Sequence, residues 1–282
     1  MQARYFLDYK EPVSAIGQGS WYIDEVADRQ QVIKALQQGI DAGLTHIDTA
    51  EMYGSGEAEK VVGEAIRGRR SDVFLVSKVL PYNASYDATL AACNASLKRL
   101  ETDYLDSYLL HWRGSVPLAE TIEALEHLCD AGKIRTWGVS NFDVADLEEA
   151  LAIAGPNRIA CNQVLYHLEE RTIEHEIIPW CKQHGVQVVA YSPFGHDQFP
   201  WEGSPEGQVL AQVAQRYEVS PRQIALAFLC RHDHVLAIPK SSSVAHTLDN
   251  AKALKIQLQA EDIALIDEAF ALQAHPGYLP MI

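Results

Sequence analysis

An α/β fold, a (β/α)8 TIM barrel with extra helices near its C-terminus, is what this sequence predicts, on three observations. Short β-branched or aromatic runs alternate with amphipathic helical patterns along the chain, as expected of a parallel sheet with helical crossovers. Eight such runs occur with no obvious linker between them. The length of 282 residues suits a barrel of this kind, which commonly runs to about 250 residues as one domain. Residues 1–282 are therefore read as a single barrel domain.

The strand candidates in order are "AIGQGSW" (15–21), "THIDTA" (45–50), "VFLVSKVL" (73–80), "YLDSYLLHW" (104–112), "TWGVSN" (136–141), "ACNQVLYH" (160–167), "VQVVAYSPF" (186–194) and "VLAIPKS" (235–241). Between the first seven lie "RQQVIKALQQGIDAG", "EAEKVVGEAIRG", "ATLAACNASLKRLE", "LAETIEALEHLCDAGK", "VADLEEALAIAG" and "EHEIIPWCKQHG". Each spaces apolar residues by three and four, and several stop at Gly. An extra helical pair, "QVLAQVAQRYE" and "SPRQIALAFLCRHD", separates the seventh and eighth strands, and "AEDIALIDEAF" repeats the pattern near the end. The stretch "GHDQFPWEGSPEG" (195–207) reads as a loop over a binding face, and "ALQAHPGYLPMI" (271–282) as a loose tail.

Composition removes several function classes. Apolar residues make up 48% and charged ones 22%, which is ordinary for a globular protein. A net charge of −15 argues against nucleic acid, whose binding draws on clustered Lys and Arg. The five cysteines are odd in number and widely spaced with no C-x-x-C, so they read as free thiols in a reducing compartment rather than a disulfide frame or zinc cluster. No metal is expected. The N-terminus lacks the apolar core of a signal peptide and no run is long enough to span a membrane. The expectation is a cytoplasmic protein, which makes the triplets Asn83-Ala-Ser85 and Asn94-Ala-Ser96 chance matches to a glycosylation acceptor.

In such a barrel the loops after the strands form the functional face, and polar residues end nearly every strand. Trp21 follows the first, Asp48 and Tyr53 the second, Lys78 ends the third, His111 the fourth, and Ser140 and Asn141 the fifth. Gln163 lies in the sixth, Tyr191 and Ser192 end the seventh, and Lys240 and Ser241 the eighth. Buried charges are costly unless paired, so Asp48 and Lys78 on neighbouring strands are expected to satisfy one another. A cation beside Tyr53 favours its phenolate and is expected to lower its pKa, making it a proton donor. His111 is placed to bond a substrate oxygen. Singly each has a bland reading as cap, rim aromatic or solvated charge; together at adjacent strand ends they do not. His46 reads as core, and the pair His232 and His234 as surface at the opposite end. Trp21, Tyr22, Tyr82, Trp112, Phe194, Phe199, Trp201 and Tyr278 are candidates for an aromatic pocket, Trp21 and Trp112 being taken for the substrate.

The stretches "HIDTAEMYGSGEAEKVVGEAI", "VFLVSKV", "SLKRLETDYLDSYLLHW", "GKIRTWGVSNF", "NQVLYH", "AYSPFG" and "AIPKSS" together resemble the aldo-keto reductases, in order and along essentially the whole chain, with the bacterial, methylglyoxal-reductase-like members closest. The resemblance implies a monomeric, NADPH-dependent reductase of small aldehydes or ketones, with a catalytic tetrad on Asp48, Tyr53, Lys78 and His111. It implies nicotinamide contacts on Ser140, Asn141, Gln163 and Tyr191, and phosphate and adenosine contacts on Ser192, Lys240, Ser241, His246 and Asn250. The chain departs from the family pattern at His246, where members preferring NADPH commonly carry Arg six residues after the Lys of "IPKS"; a neutral His offers less charge to a 2′-phosphate, so NADH use is also possible. A Gly-x-Gly-x-x-Gly fingerprint is absent, consistent with a family that holds its dinucleotide extended across the barrel mouth. The alternatives are a non-catalytic NADPH-binding subunit of a larger assembly, a Schiff-base lyase using Lys78, and a metal-dependent hydrolase.

Overall fold

Strands shielded on both faces need unbroken apolar runs, and those runs fold here as parallel strands. In the computed structural model, which describes residues 3–7, 11–196 and 199–282, the strands are β1 (Gln18–Gly19), β2 (His46–Asp48), β3 (Phe74–Val79), β4 (Leu105–Leu110), β5 (Ile134–Ser140), β6 (Ile159–Leu165), β7 (Gln187–Tyr191) and β8 (Val235–Ala237). Each pairs in parallel with the next in sequence. The bridges Ile16↔Ala237 and Gly19↔Lys240 join the first strand region to the last and close the barrel. An N-terminal hairpin pairs Ala3–Arg4 with Val13–Ser14 and puts Phe6 inside the barrel floor, with Val13, Phe74, Val76 and Leu109.

Helices surround the sheet: α1 (Arg29–Asp41), α2 (Glu57–Ile66), α3 (Tyr86–Arg99), α4 (Leu118–Asp130), α5 (Val144–Ala154) and α6 (Ile177–His184). After β7 come the extra pair α7 (Pro205–Tyr217) and α8 (Pro221–Leu229), and after β8 come α9 (Val244–Lys252) and α10 (Ala260–Ala269). Their starts follow local chemistry. Asp28, Asp143 and Ser204 each accept a first-turn backbone N–H, and Ser220 with Gln223 forms a reciprocal capping box. On α1 the buried residues Val32, Ile33, Leu36 and Ile40 make the apolar stripe facing the sheet.

Two expectations change. The tail is not loose: His175 Nε2 and the Gln273 carbonyl lie 2.8 Å apart, Leu279 packs on the core, and Ile282 returns to the barrel mouth. His234 is not a plain surface group, since it is partly buried and its Nε2 lies 3.1 Å from the Ile178 carbonyl. His46 is core as expected, 1% exposed and edge-on to Phe6 and Phe74. All five cysteines are free thiols. Among the described residues no helix is long and apolar enough to cross a membrane and no cluster fits a metal ion.

Candidate active site

The two-residue period of a strand decides what reaches the barrel interior. Lys78 shares the face of Phe74 and Val76, two interior residues, so its ammonium is delivered inward at the strand end, where it is fully buried. Its Nζ donates to Asp48 Oδ2 at 2.6 Å, to the Thr49 carbonyl at 2.9 Å and to the Tyr53 hydroxyl at 3.0 Å. Three acceptors match the three N–H bonds of an ammonium. The other Asp48 oxygen accepts from Gln163 Nε2 at 2.7 Å, so one carboxylate ties β2 to β3 and also to β6 across the barrel.

Tyr53 sits in a turn whose next three residues, Gly54, Ser55 and Gly56, all take positive φ. Gly54 is required for space as well, because a Cβ there would lie 2.1 Å from Asp24 Oδ2. The loop after Lys78 is fixed by Glu51, whose Oε1 accepts from the Leu80 amide and Asn83 Nδ2 at 2.8 and 3.0 Å. That explains a carboxylate in "DTAEMY" that takes no part in the Lys78 network. His111 lies edge-on to Tyr53 with centroids 5.8 Å apart.

Burial and the Lys78 cation hold His111 down at about 2, so it is a neutral imidazole across the ordinary pH range. For Lys78, burial favours loss of the proton, but Asp48 and Tyr53 outweigh it and its pKa rises. Tyr53 departs from the sequence expectation. Lys78 does pull its pKa down, but burial pushes it up by more, so the phenol stands above its ordinary value and keeps its proton at rest.

A cleft open at its mouth is lined by Trp21, Asp48, Tyr53, His111, Trp112, Ser140, Asn141, Gln163, Tyr191, Ser192 and Lys240. Lys78 lies behind this wall. Ser140 Oγ donates to the Gln163 carbonyl at 2.9 Å, and Tyr191 donates to Asn141 Oδ1 at 2.9 Å. Asn141 and Ser192 adopt positive φ, 59° and 48°, a region that Asn enters more readily than most non-glycine residues. Sequence reasoning missed Gly19, Ser20, Met52, Ile238 and Ile282, which also line the cavity. For Ser20 the sequence signal was its place at the end of the first strand candidate beside Trp21; in the structure its hydroxyl is buried without a hydrogen-bond partner among the described residues.

Lys240 lines a second cavity too, with His246 and Asn250. Ser241 lines neither; its hydroxyl bonds within its own turn to Ser243. Of the remaining expected aromatics, Phe194, Phe199 and Trp201 border the second cavity and Tyr22 a groove beside His196. Tyr82 and Tyr278 stand outside all three, 72% and 67% exposed. Two residues of the expected binding loop, Asp197 and Gln198, lie outside the described residues.

Residues 15–271 match the model of the aldo/keto reductase family. The chain belongs to that family. As a member it is an NAD(P)H-dependent oxidoreductase. It is 48% identical to methylglyoxal reductase YeaE of Escherichia coli K12, over 95% of each chain, and 35% identical to the glyoxal reductase of Bacillus subtilis, over 86% of this chain and 85% of that one. A crystal structure of an aldo/keto reductase from Klebsiella pneumoniae in complex with NADP and acetate superposes with a TM-score of 0.93, at 46% identity, covering 100% of this chain and 99% of that one.

Proposed function

We propose that this aldo/keto reductase reduces small aldehydes or ketones to alcohols with NADPH, Tyr53 donating the proton. The observation that carries this is the Tyr53 hydroxyl, 3.0 Å from a buried ammonium at the edge of a cavity it lines. NADPH, when bound, supplies the hydride.

Charge builds on a carbonyl oxygen as its carbon is attacked, and donors fixed in a partly dry site stabilise that charge without reorganising. Tyr53 keeps its proton at rest and gives it to the oxygen. Lys78 lies within hydrogen-bond reach to stabilise the phenolate left behind. Asp48 keeps Lys78 charged, which also weighs against an amine nucleophile there. His111, neutral, offers one N–H to the same oxygen and so acts as a donor rather than a proton store. Lys78 and Asp48 are positioning residues; Tyr53 and His111 touch the reacting group.

The residues present fit the cofactor. Ser20 presents an unsatisfied buried hydroxyl to the cavity, Tyr191 an aromatic ring, and Asn141 and Gln163 amides. Lys240 marks the passage to the second cavity, where His246 and Asn250 would meet the adenosine end. The names of the relatives support short carbonyl compounds of the glyoxal and methylglyoxal kind as the substrate class.

The test follows NADPH absorbance against methylglyoxal, an aromatic aldehyde and a sugar aldehyde, in wild type and Tyr53→Phe. Losing the general acid is expected to lower turnover by roughly a hundredfold or more while NADPH still binds. Near-native turnover in Tyr53→Phe refutes the role; no turnover in wild type with any carbonyl, with NADPH bound, favours a binding subunit.

A further inference from the structure

His246 stands where the family pattern has a permanently charged guanidinium, so the second cavity poses a question of charge. Its wall contains another cation, Arg222. Arg222 occupies the first turn of α8, held by the capping box of Ser220 and Gln223 on either side. Its Cζ lies 4.6 Å from the centroid of Phe199 and 5.7 Å from that of Phe194, within the range of a cation over an aromatic face.

What distinguishes Arg222 is what it lacks. Among the described arginines it alone has neither a carboxylate in ion-pair range nor a carbonyl partner: eleven of the others form ion pairs, and Arg4 donates to carbonyls. Lys240 and His246 on the same wall are likewise without ion pairs among the described residues. In a chain of net charge −15, two unpaired cations, Arg222 and Lys240, with an imidazole beside them around one cavity are a place for an anion. Two acids share the wall, Glu202 and Asp249, and neither comes within ion-pair range of these groups among the described residues. Asp249 is taken up by Ser220 Oγ and Gln223 Nε2 at 2.7 and 2.6 Å, and Glu202, also on the wall, is exposed.

We infer that Arg222 reads the 2′-phosphate of NADPH in place of the guanidinium absent at position 246. The inference rests on the cofactor reading above. A guanidinium presents a planar fork of donors that meets phosphate oxygens in pairs, where Lys240 offers a point charge and His246 a single bond. Stacking on Phe199 reduces the freedom that the fork loses on binding.

The test titrates the full-length wild type, Arg222→Gln and Arg222→Lys by quenching of intrinsic tryptophan fluorescence. The ligands are NADPH, NADH and the fragments 2′,5′-ADP and 5′-ADP. Losing a charged hydrogen-bond donor is expected to weaken NADPH and 2′,5′-ADP about tenfold or more in Arg222→Gln while NADH and 5′-ADP stay within about twofold. Arg222→Lys falls between, and added salt narrows the difference. Equal losses for phosphorylated and unphosphorylated ligands assign Arg222 to the adenine or to loop packing and overturn the inference, as does no loss at all. A wild type that does not distinguish 2′,5′-ADP from 5′-ADP also overturns it and leaves carbonyl reduction by Tyr53 standing. Failure of wild type to bind either dinucleotide overturns the functional reading itself, and this inference with it.

Discussion

Asp48→Asn keeps the shape of the side chain and removes its charge, which isolates what that charge does. Lys78 is completely buried and in wild type its closest acceptor is Asp48 Oδ2, at 2.6 Å. Removing one partner of a buried pair costs about 3–5 kcal/mol; an amide oxygen that still accepts a bond puts the expected loss near the lower figure, about 3 kcal/mol. At roughly 2–4 °C per kcal/mol for a chain of this size, the melting point should fall by roughly 6–12 °C. The pH dependence has a definite sign. In wild type the folded pKa of Lys78 is raised, so its stabilisation is complete below the unfolded value and is lost as pH climbs through the folded one. Without Asp48 burial dominates and the folded pKa drops below the unfolded one, so the penalty is full at neutral pH and fades as pH rises toward 10.5. Melting curves of both proteins from pH 7 to 10 should therefore converge, and turnover of the variant should decline at lower pH than that of wild type as Lys78 discharges. A melting point within about 2 °C of wild type at pH 7, or a gap that stays constant with pH, would refute the account of the pair.

Other consequences follow from the same geometry. Gly54→Ala adds a Cβ 2.1 Å from Asp24 Oδ2 at a positive φ, so it should displace Tyr53 and lower turnover by roughly tenfold or more; Asp24→Ala in the same chain should restore part of it, and kinetics showing no restoration would mean the collision is not the cause. His46 is buried with its pKa lowered to about 4, so it costs nothing above the unfolded value and destabilises progressively as pH falls from 6.5 toward 4, by about 3 kcal/mol in all. His46→Leu should lose less stability between pH 7 and 4.5 in denaturant titrations than wild type does, and parallel losses would place the acid sensitivity elsewhere.

How much of this was readable from the sequence depended on range. Lys78 follows Phe74 and Val76 at a spacing of two, so once "VFLVSKV" is a barrel strand its ammonium must point inward beside Asp48 of the neighbouring strand. The Gln163–Asp48 bond was not readable, because it spans a closed barrel and depends on the cumulative register of five strands. The net pKa of Tyr53 was misread for a related reason: sequence indicates which charge is near but not how much water is excluded, and here burial outweighs the cation. The tail failed for a third reason, since a segment with neither helical nor strand period can still be fastened by single contacts such as His175 to Gln273. Arg222 gave no local signal; its meaning comes from having neither a carboxylate nor a carbonyl partner among the described residues, which only the folded structure reveals.

The barrel closes through a thin pairing. β1 contributes two residues, and it meets the β8 side through the bridges at Ile16 and Gly19, with the amides of Gly17, Gly19 and Ala237 bonded across. Most of the chain lies between these two edges, so this seam closes the longest loop of any strand pairing in the barrel. Ser20 and Trp21 stand on one lip and Lys240 on the other, facing the same cavity. A molecule that touches both lips binds the closed seam and not the parted one, so by mass action its binding would hold the cylinder shut.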